Sequence, residues 1–223
     1  MYKIVIPGDF VSDDAKRAGE GTYVEEGKVY ATTYGVVDDK GEIRVVAFSG
    51  KYLPVMGDVV IGKVIEISFP YWIVDIASPY EARIHMSEIS TRGGKRIEFG
   101  DMNAILDLDD LVAVKVLNVD ALMRIDLGLK EDLHIGRGNG RLIEVPPTKV
   151  PRIIGRKGSM IRMLKDKCNC FIFVAKNGRI WIKGKTKDIK LASEVILLIT
   201  NEAHTSGLTD RVAEFLDSVK TER

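Results

Sequence analysis

Hydrophobic and polar positions alternate along the first part of the chain in the manner of β-strands. Residues 23–37 (YVEEGKVYATTYGVV), a DDKG turn and residues 42–48 (EIRVVAF) predict two strands joined by a turn. A KYLP stretch at residues 51–54 ends this run, which sets off a small all-β domain over residues 1–56 with no helical pattern. In the second block, Val59, Ile61, Val64, Ile65 and Ile67 supply one strand, residues 72–76 another, and residues 83–86 a third. An irregular polar stretch follows, and DLVAVKVLNVDALMRIDLGL then supplies two more strands with a turn near Asp120 and Ala121. Five short strands over residues 57–130 predict a five-stranded OB-type β-barrel, because closure removes the exposed edges of a short sheet.

The pattern changes over residues 131–223. A glycine-rich join, GRGNG, leads into a strand (RLIEV), and a proline-bearing segment precedes RIIGRKGSMIRML at residues 152–164. Met160, Ile161 and Leu164 recur at helical spacing with cations between them. CFIFVAKNGRIWIKG predicts a hairpin turning at Asn177-Gly178, since Asn-Gly suits the left-handed positions of a two-residue turn. Ile189, Ala192, Val195, Ile196 and Ile199 share one face of a long helix. A last amphipathic helix, LTDRVAEFLDSVK, has Thr209 or Asp210 as its candidate cap. The expected whole is multi-domain: an all-β N-terminal domain, a barrel, then an α+β domain with a C-terminal helix.

Charge sharpens this division. The formal net charge of the chain is only +1, but residues 131–190 carry 15 Lys+Arg against 5 Asp+Glu, a net +10. The flanking blocks are acidic: net −2 over residues 1–56, −4 over 57–130 and −3 over 191–223. A basic block between acidic neighbours is the electrostatic footprint of a module that binds polyanions, or else a solvated basic surface. The only two cysteines, Cys168 and Cys170, are too few for a zinc site and read as core thiols. No run approaches the ~18 apolar residues of a membrane span, and the N-terminus lacks the pattern of a signal peptide, so a cytoplasmic location is expected. The sequence contains no GxxxxGK[ST], HExxH or GxSxG motif, and His85, His134 and His204 fall in separate segments. DLDD at residues 107–110 reads as a solvated polar loop. No catalytic residue, cofactor or metal is therefore expected.

The GRKG loop concentrates the remaining chemistry. A helix N-terminus offers unpaired N–H groups and a positive dipole end, and glycine permits close approach and φ > 0. Gly155 and Gly158 bracket Arg156 and Lys157 at the mouth of the following helix, an arrangement that favours an anion such as a sugar-phosphate backbone. In its loop, in the flanking Arg152, Ile153 and Ile154, and in its element order, the region over about residues 140–204 resembles a KH domain, whose loop clamps about four nucleotides of a single strand. That resemblance implies RNA contact by residues 152–158, with an apolar groove from Ile153, Ile154, Ile161 and the strand beginning at Phe171.

The barrel has its own signal. Phe69, Tyr71 and Trp72 cluster at a strand start and His85 follows in IHMSE, while Arg83, Arg92, Lys95 and Arg96 supply cations. GDVVIGKVIEI, VDI and ARIHMSE resemble the S1-type RNA-binding domain, which stacks bases on aromatic rings over a positive groove. In this order the three domains are similar to the RNA-binding cap subunits of the archaeal exosome. The resemblance implies a non-catalytic protein that recruits single-stranded RNA, docks through its N-terminal domain, and sits in three copies on a hexameric phosphorolytic ring. A second cap type with a zinc ribbon is excluded by the missing Cys pairs. A free-standing or translation-linked RNA-binding protein with the same modules, and an enzyme completed only on assembly, stay open alternatives.

Overall fold

Alternation does run through the first fifty residues, but it is cut into more strands than the pattern suggests. The computed structural model describes residues 3–47, 50–89, 99–129, 135, 140–203 and 207–221, and it divides into two units, Met1–Gly50 and Lys51–Arg223. In the first unit, β1 (Ile4–Val5), β5 (Gly35–Lys40) and β6 (Glu42–Ala47) form one antiparallel sheet. β2 (Phe10–Ser12), β4 (Lys28–Ala31) and β3 (Thr22–Glu25) form a second. The strand expected over residues 23–37 folds back at Glu26-Gly27, both with positive φ (48° and 78°), and the turn expected at DDKG contracts onto Gly41 (φ 98°). A two-residue reversal keeps the period-2 register on both sides, so alternation alone does not reveal it. Val5, Ala31 and Val45 form the core, with Val11 and Val37 packed against it.

The second unit opens with Tyr52, which is buried in the barrel core and donates its hydroxyl to Asp58 Oδ2 at 2.8 Å. β7 (Val59–Ser68), β8 (Tyr71–Asp75), β9 (Ala82–His85), β10 (Leu111–Val119) and β11 (Ile125–Leu129) form the closed barrel in the order β10-β11-β9-β8-β7. β10 closes it by pairing antiparallel with β7, and β11 pairs parallel with β9. Val60, Val64, Val112, Val114 and Val116 point inward, while their neighbours Ile61 and Ala113 belong to a separate apolar cluster on the outside. The polar stretch before β10 contains a one-turn helix, α1 (Met102–Ile105), whose Met102 is fully buried against the barrel.

The α+β module follows the expected order. β12 (Gly140–Glu144), β14 (Arg179–Lys183) and β13 (Phe171–Val174) form an antiparallel sheet in that spatial order, with β13 at the edge. Helices α2 (Val150–Ile154), α3 (Ser159–Cys168), α4 (Thr186–Asn201) and α5 (Leu208–Thr221) accompany it. β14 is buried on both faces because it is central. Ile180 and Ile182 enter the core shared with α2–α5, and each contributes about 1.5–3 kcal/mol by leaving water. Trp181, on the other face, joins Ala175 and Ile135 against the barrel's Ile61 and Ala113, with Leu142 and Phe173 packed alongside. The two modules thus share an apolar seam.

Candidate nucleic-acid interface

The loop between α2 and α3 is shaped by its glycines. α2 ends because Gly155 takes φ 74°, ψ 173°. A Cβ there would lie 2.7 Å from Met160 Cβ and 2.8 Å from its backbone N, so no side chain fits. Lys157 is held at φ 51°, ψ 28°, and Gly158 at φ 75°, ψ 18°, immediately before α3. No side chain caps α3, so its positive dipole end is left to whatever meets the loop. Arg156 and Lys157 are exposed at the tip and form no ion pair with a described residue. Arg152 is exposed on α2 beside them. The arrangement offers two mobile cations, a backbone that can be approached closely, and an uncapped helix start, which together suit a phosphate.

The apolar residues around the loop divide. Ile153 is fully buried and serves the core, so it is not available to a ligand. Ile154 and Ile161 are half-buried at the surface of that core. Phe171, 49% exposed on the edge strand, carries the Lys165 ammonium 5.9 Å from its ring centre. Lys165 and Arg162 are exposed on α3, and sequence reasoning passed over both. Their i, i+3 spacing on the polar face of a predicted helix was the available signal.

On the barrel, β8 and β9 bring three of the expected residues together. Tyr71 stands directly opposite His85, their rings 5.0 Å apart and edge to face. The Arg83 guanidinium lies 4.7 Å over the Tyr71 ring, and its Nε donates to Asp126 Oδ1 at 2.8 Å. That hydrogen bond, and then the Asp126 charge, hold the Arg83 pKa above its ordinary value. His85 Nδ1 accepts the Ser87 backbone N–H at 3.1 Å, which leaves Nε2 as the ring's other nitrogen for an outside partner. Phe69 is 54% exposed in the β7–β8 turn.

Trp72 corrects the expectation for this surface. Adjacent strand residues face opposite ways, and with Tyr71 outside Trp72 is inside, fully buried, its Nε1–H donating to Leu106 O at 3.1 Å. It fills the barrel and cannot stack on a base. Arg92, Lys95 and Arg96 lie outside the described residues. Among those described, no group of three or more His, Cys, Asp or Glu is placed to hold a metal ion, and Cys168 and Cys170 are free and buried. No described helix is long and apolar enough to cross a membrane.

Three family models match consecutive parts of the chain: the N-terminal region of exosome complex exonuclease RRP4 over residues 4–38, the RRP4 S1 domain over 51–118 and the KH domain over 141–198. Relatives called exosome complex component Rrp4 align along almost the whole length. The protein of Methanosarcina mazei is 48% identical over 216 residues, 96% of this chain and 81% of its own. That of Methanothermus fervidus is 44% identical over 214 residues, 96% of this chain and 94% of its own. Among solved structures, one crystallised as a candidate exosome complex RNA-binding protein superposes with a TM-score of 0.66 at 34% identity, covering 78% of this chain and 99% of that one.

Proposed function

Because the chain belongs to the Rrp4 family of exosome components, we propose that it is a non-catalytic, RNA-binding cap subunit that captures single-stranded RNA for a ring degrading it from the 3′ end. The observation that carries this reading is the loop at residues 155–158. Two unpaired cations sit between two glycines of positive φ, before an uncapped helix, inside a block of net charge +10. Arg156 and Lys157 act as the phosphate clamp, and Arg152 supports them. Ile154, Ile161 and Phe171 line the adjoining groove. Tyr71, Arg83, His85 and Phe69 form a second, weaker contact on the barrel, where an Asp126 partner already offsets part of the Arg83 charge.

The N-terminal unit serves assembly. Ile4, Val36 and Val46 stand opposite one another across β1-β5-β6, with Ile4 and Val46 exposed, and make an apolar row on the outer face of that sheet. Phe10, Tyr30 and Tyr23 make a second row across β2-β4-β3, their rings 6.1 and 5.5 Å apart. Exposed apolar rows of this kind fit a protein partner. Three copies docked in this way on a hexameric phosphorolytic ring in the cytoplasm would surround its entrance.

The test is fluorescence anisotropy of a labelled single-stranded RNA with wild type and with Arg156→Asp/Lys157→Asp at two salt concentrations. For about three phosphate contacts, log affinity falls against log salt with a slope of about −2 on single strands. The variant should keep its fold, bind at least about tenfold more weakly and show a shallower slope. Equal binding by both proteins would remove the loop from the RNA path. The isolated chain should release no nucleotide from RNA in the presence of phosphate.

A further inference from the structure

The hairpin turn at Asn177-Gly178 does more than reverse the chain. Asn177 is only 3% exposed, unusual for a turn residue. Its Nδ2 donates to the carbonyls of Ile61 and Ile76, both at 2.8 Å, and its Oδ1 accepts the Ile61 N–H at 3.3 Å. All three partners are barrel backbone. Two residues on, Arg179 is 5% exposed. Its Nη1 donates to the carbonyls of Asp75 (2.6 Å) and Ile61 (3.3 Å), its Nη2 pairs with the Asp75 carboxylate, and its Nε bonds Glu144 Oε1 at 2.9 Å. The Lys176 N–H donates to Val59 O at 3.1 Å. Trp181, Ala175, Ile61 and Ala113 form the apolar seam alongside.

This is a polar latch on an apolar seam. Networks of this kind are rigid when every group is paired, and no buried side-chain polar atom among the described residues lacks a partner. The turn itself needs only residues that tolerate left-handed backbone. The Asn177 amide is spent on the barrel instead. Neither Asn177 nor Arg179 is exposed to a ligand.

We propose that the Asn177–Arg179 latch locks the barrel and the α+β module into one RNA-binding body, so that a strand long enough to reach both is held by both at once. The two residues are positioning residues for RNA binding. The inference rests on the reading above, in which each module contacts RNA. Two sites held at a fixed spacing raise the local concentration of the second for a strand already on the first, and avidity then exceeds either single affinity. With the latch open, residues 130–139 alone would tether the modules, and this gain would shrink while each local site stayed intact.

The experiment uses the full chain, with labelled oligouridylates of 5 and 20 nucleotides. The shorter is near the ~4 nucleotides a GxxG loop clamps, and the longer is enough for loop and barrel together. Asn177→Asp keeps the shape and suits the turn, but sets a carboxylate against two carbonyls. Arg179→Met removes the ion pairs and keeps the apolar stem. Both should bind the 5-mer within about twofold of wild type and the 20-mer about tenfold more weakly, with a larger radius of gyration in solution scattering. Arg179→Lys, which keeps a cation near Asp75 and Glu144, should recover part of the 20-mer affinity. Parallel loss of both RNAs would assign these residues to folding alone and overturn the proposal. So would unchanged 20-mer binding in a variant whose radius of gyration has grown. A wild type that gains nothing from length overturns the latch but leaves the clamp standing, provided Arg156→Asp/Lys157→Asp still abolishes 5-mer binding. Failure of wild type to bind the 5-mer would instead overturn the clamp reading, and the latch proposal with it.

Discussion

Lys157 sits in the left-handed region at φ 51°, a conformation that costs an L-residue with a Cβ about 1–2 kcal/mol. Gly155 and Gly158, with no Cβ, take positive φ on either side of it without that cost. A lysine is therefore kept where a glycine would be easier, and backbone strain of this kind marks a position chosen for its side chain. Lys157→Gly separates the two demands. Relief of strain and the greater freedom of glycine in the unfolded chain nearly cancel, so stability should stay level or rise by up to about 1 kcal/mol. RNA affinity should fall because one clamp cation is gone. Urea unfolding and anisotropy on the same preparation check both halves. A clear loss of stability would mean that the lysine stem is held by packing, and that the conformation owes nothing to binding.

At the scale of elements, β14 carries the logic of the second unit. Its even positions, Ile180 and Ile182, serve the helices, and its odd positions, Arg179 and Trp181, serve the barrel. Burial pushes the Asp75 carboxyl up, but the Arg179 hydrogen bond, the Ala77 N–H and the charges of Arg179 and Lys63 outweigh it and hold the group below its ordinary 3.8. A carboxylate depressed in the folded state adds stability that is complete above its unfolded value and is lost as pH falls through its folded one. The stability gap between wild type and Asp75→Asn should therefore be widest above about pH 5 and narrow steadily in more acid solution. A gap that is constant with pH would show that the carboxylate charge does not contribute. The hairpin ending in this strand was legible in the sequence because Asn177-Gly178 is a local signal, as were the five barrel strands and the GxxG loop with its following helix. The latch was not legible, because Asp75 and Arg179 are 104 residues apart and nothing local marks them as partners. Tyr71 and Trp72 show the same limit on a smaller scale: alternation says that one faces in and one out, and only barrel closure decides which. In the first unit, the reversal at Glu26-Gly27 hid inside an unbroken alternation.

The whole molecule separates its tasks along the chain, and charge and apolar exposure separate with them. The basic block at residues 131–190 contains the clamp, while the acidic residues 1–56 contain the two apolar rows. An acidic, partly apolar surface is a poor RNA ligand and a reasonable protein ligand, since like charge repels phosphate and the rows offer area to bury. If the tasks are independent, they can be lost independently. Ile4→Asp/Val46→Asp places charge on the outer face of β1-β5-β6, away from the core residues Val5, Val37 and Val45 on the other face. The variant should stay folded and bind RNA within about twofold of wild type, because sites with no shared partners act additively. Mixed with the subunits of an archaeal phosphorolytic ring, wild type should give a larger particle by multi-angle light scattering, and the variant should leave the ring at its own mass. An assembled particle with the variant would move the docking face to the Phe10–Tyr30–Tyr23 row or to the second unit. A variant that lost RNA binding together with assembly would show that the two units work as one surface, and the division of tasks along the chain would fail.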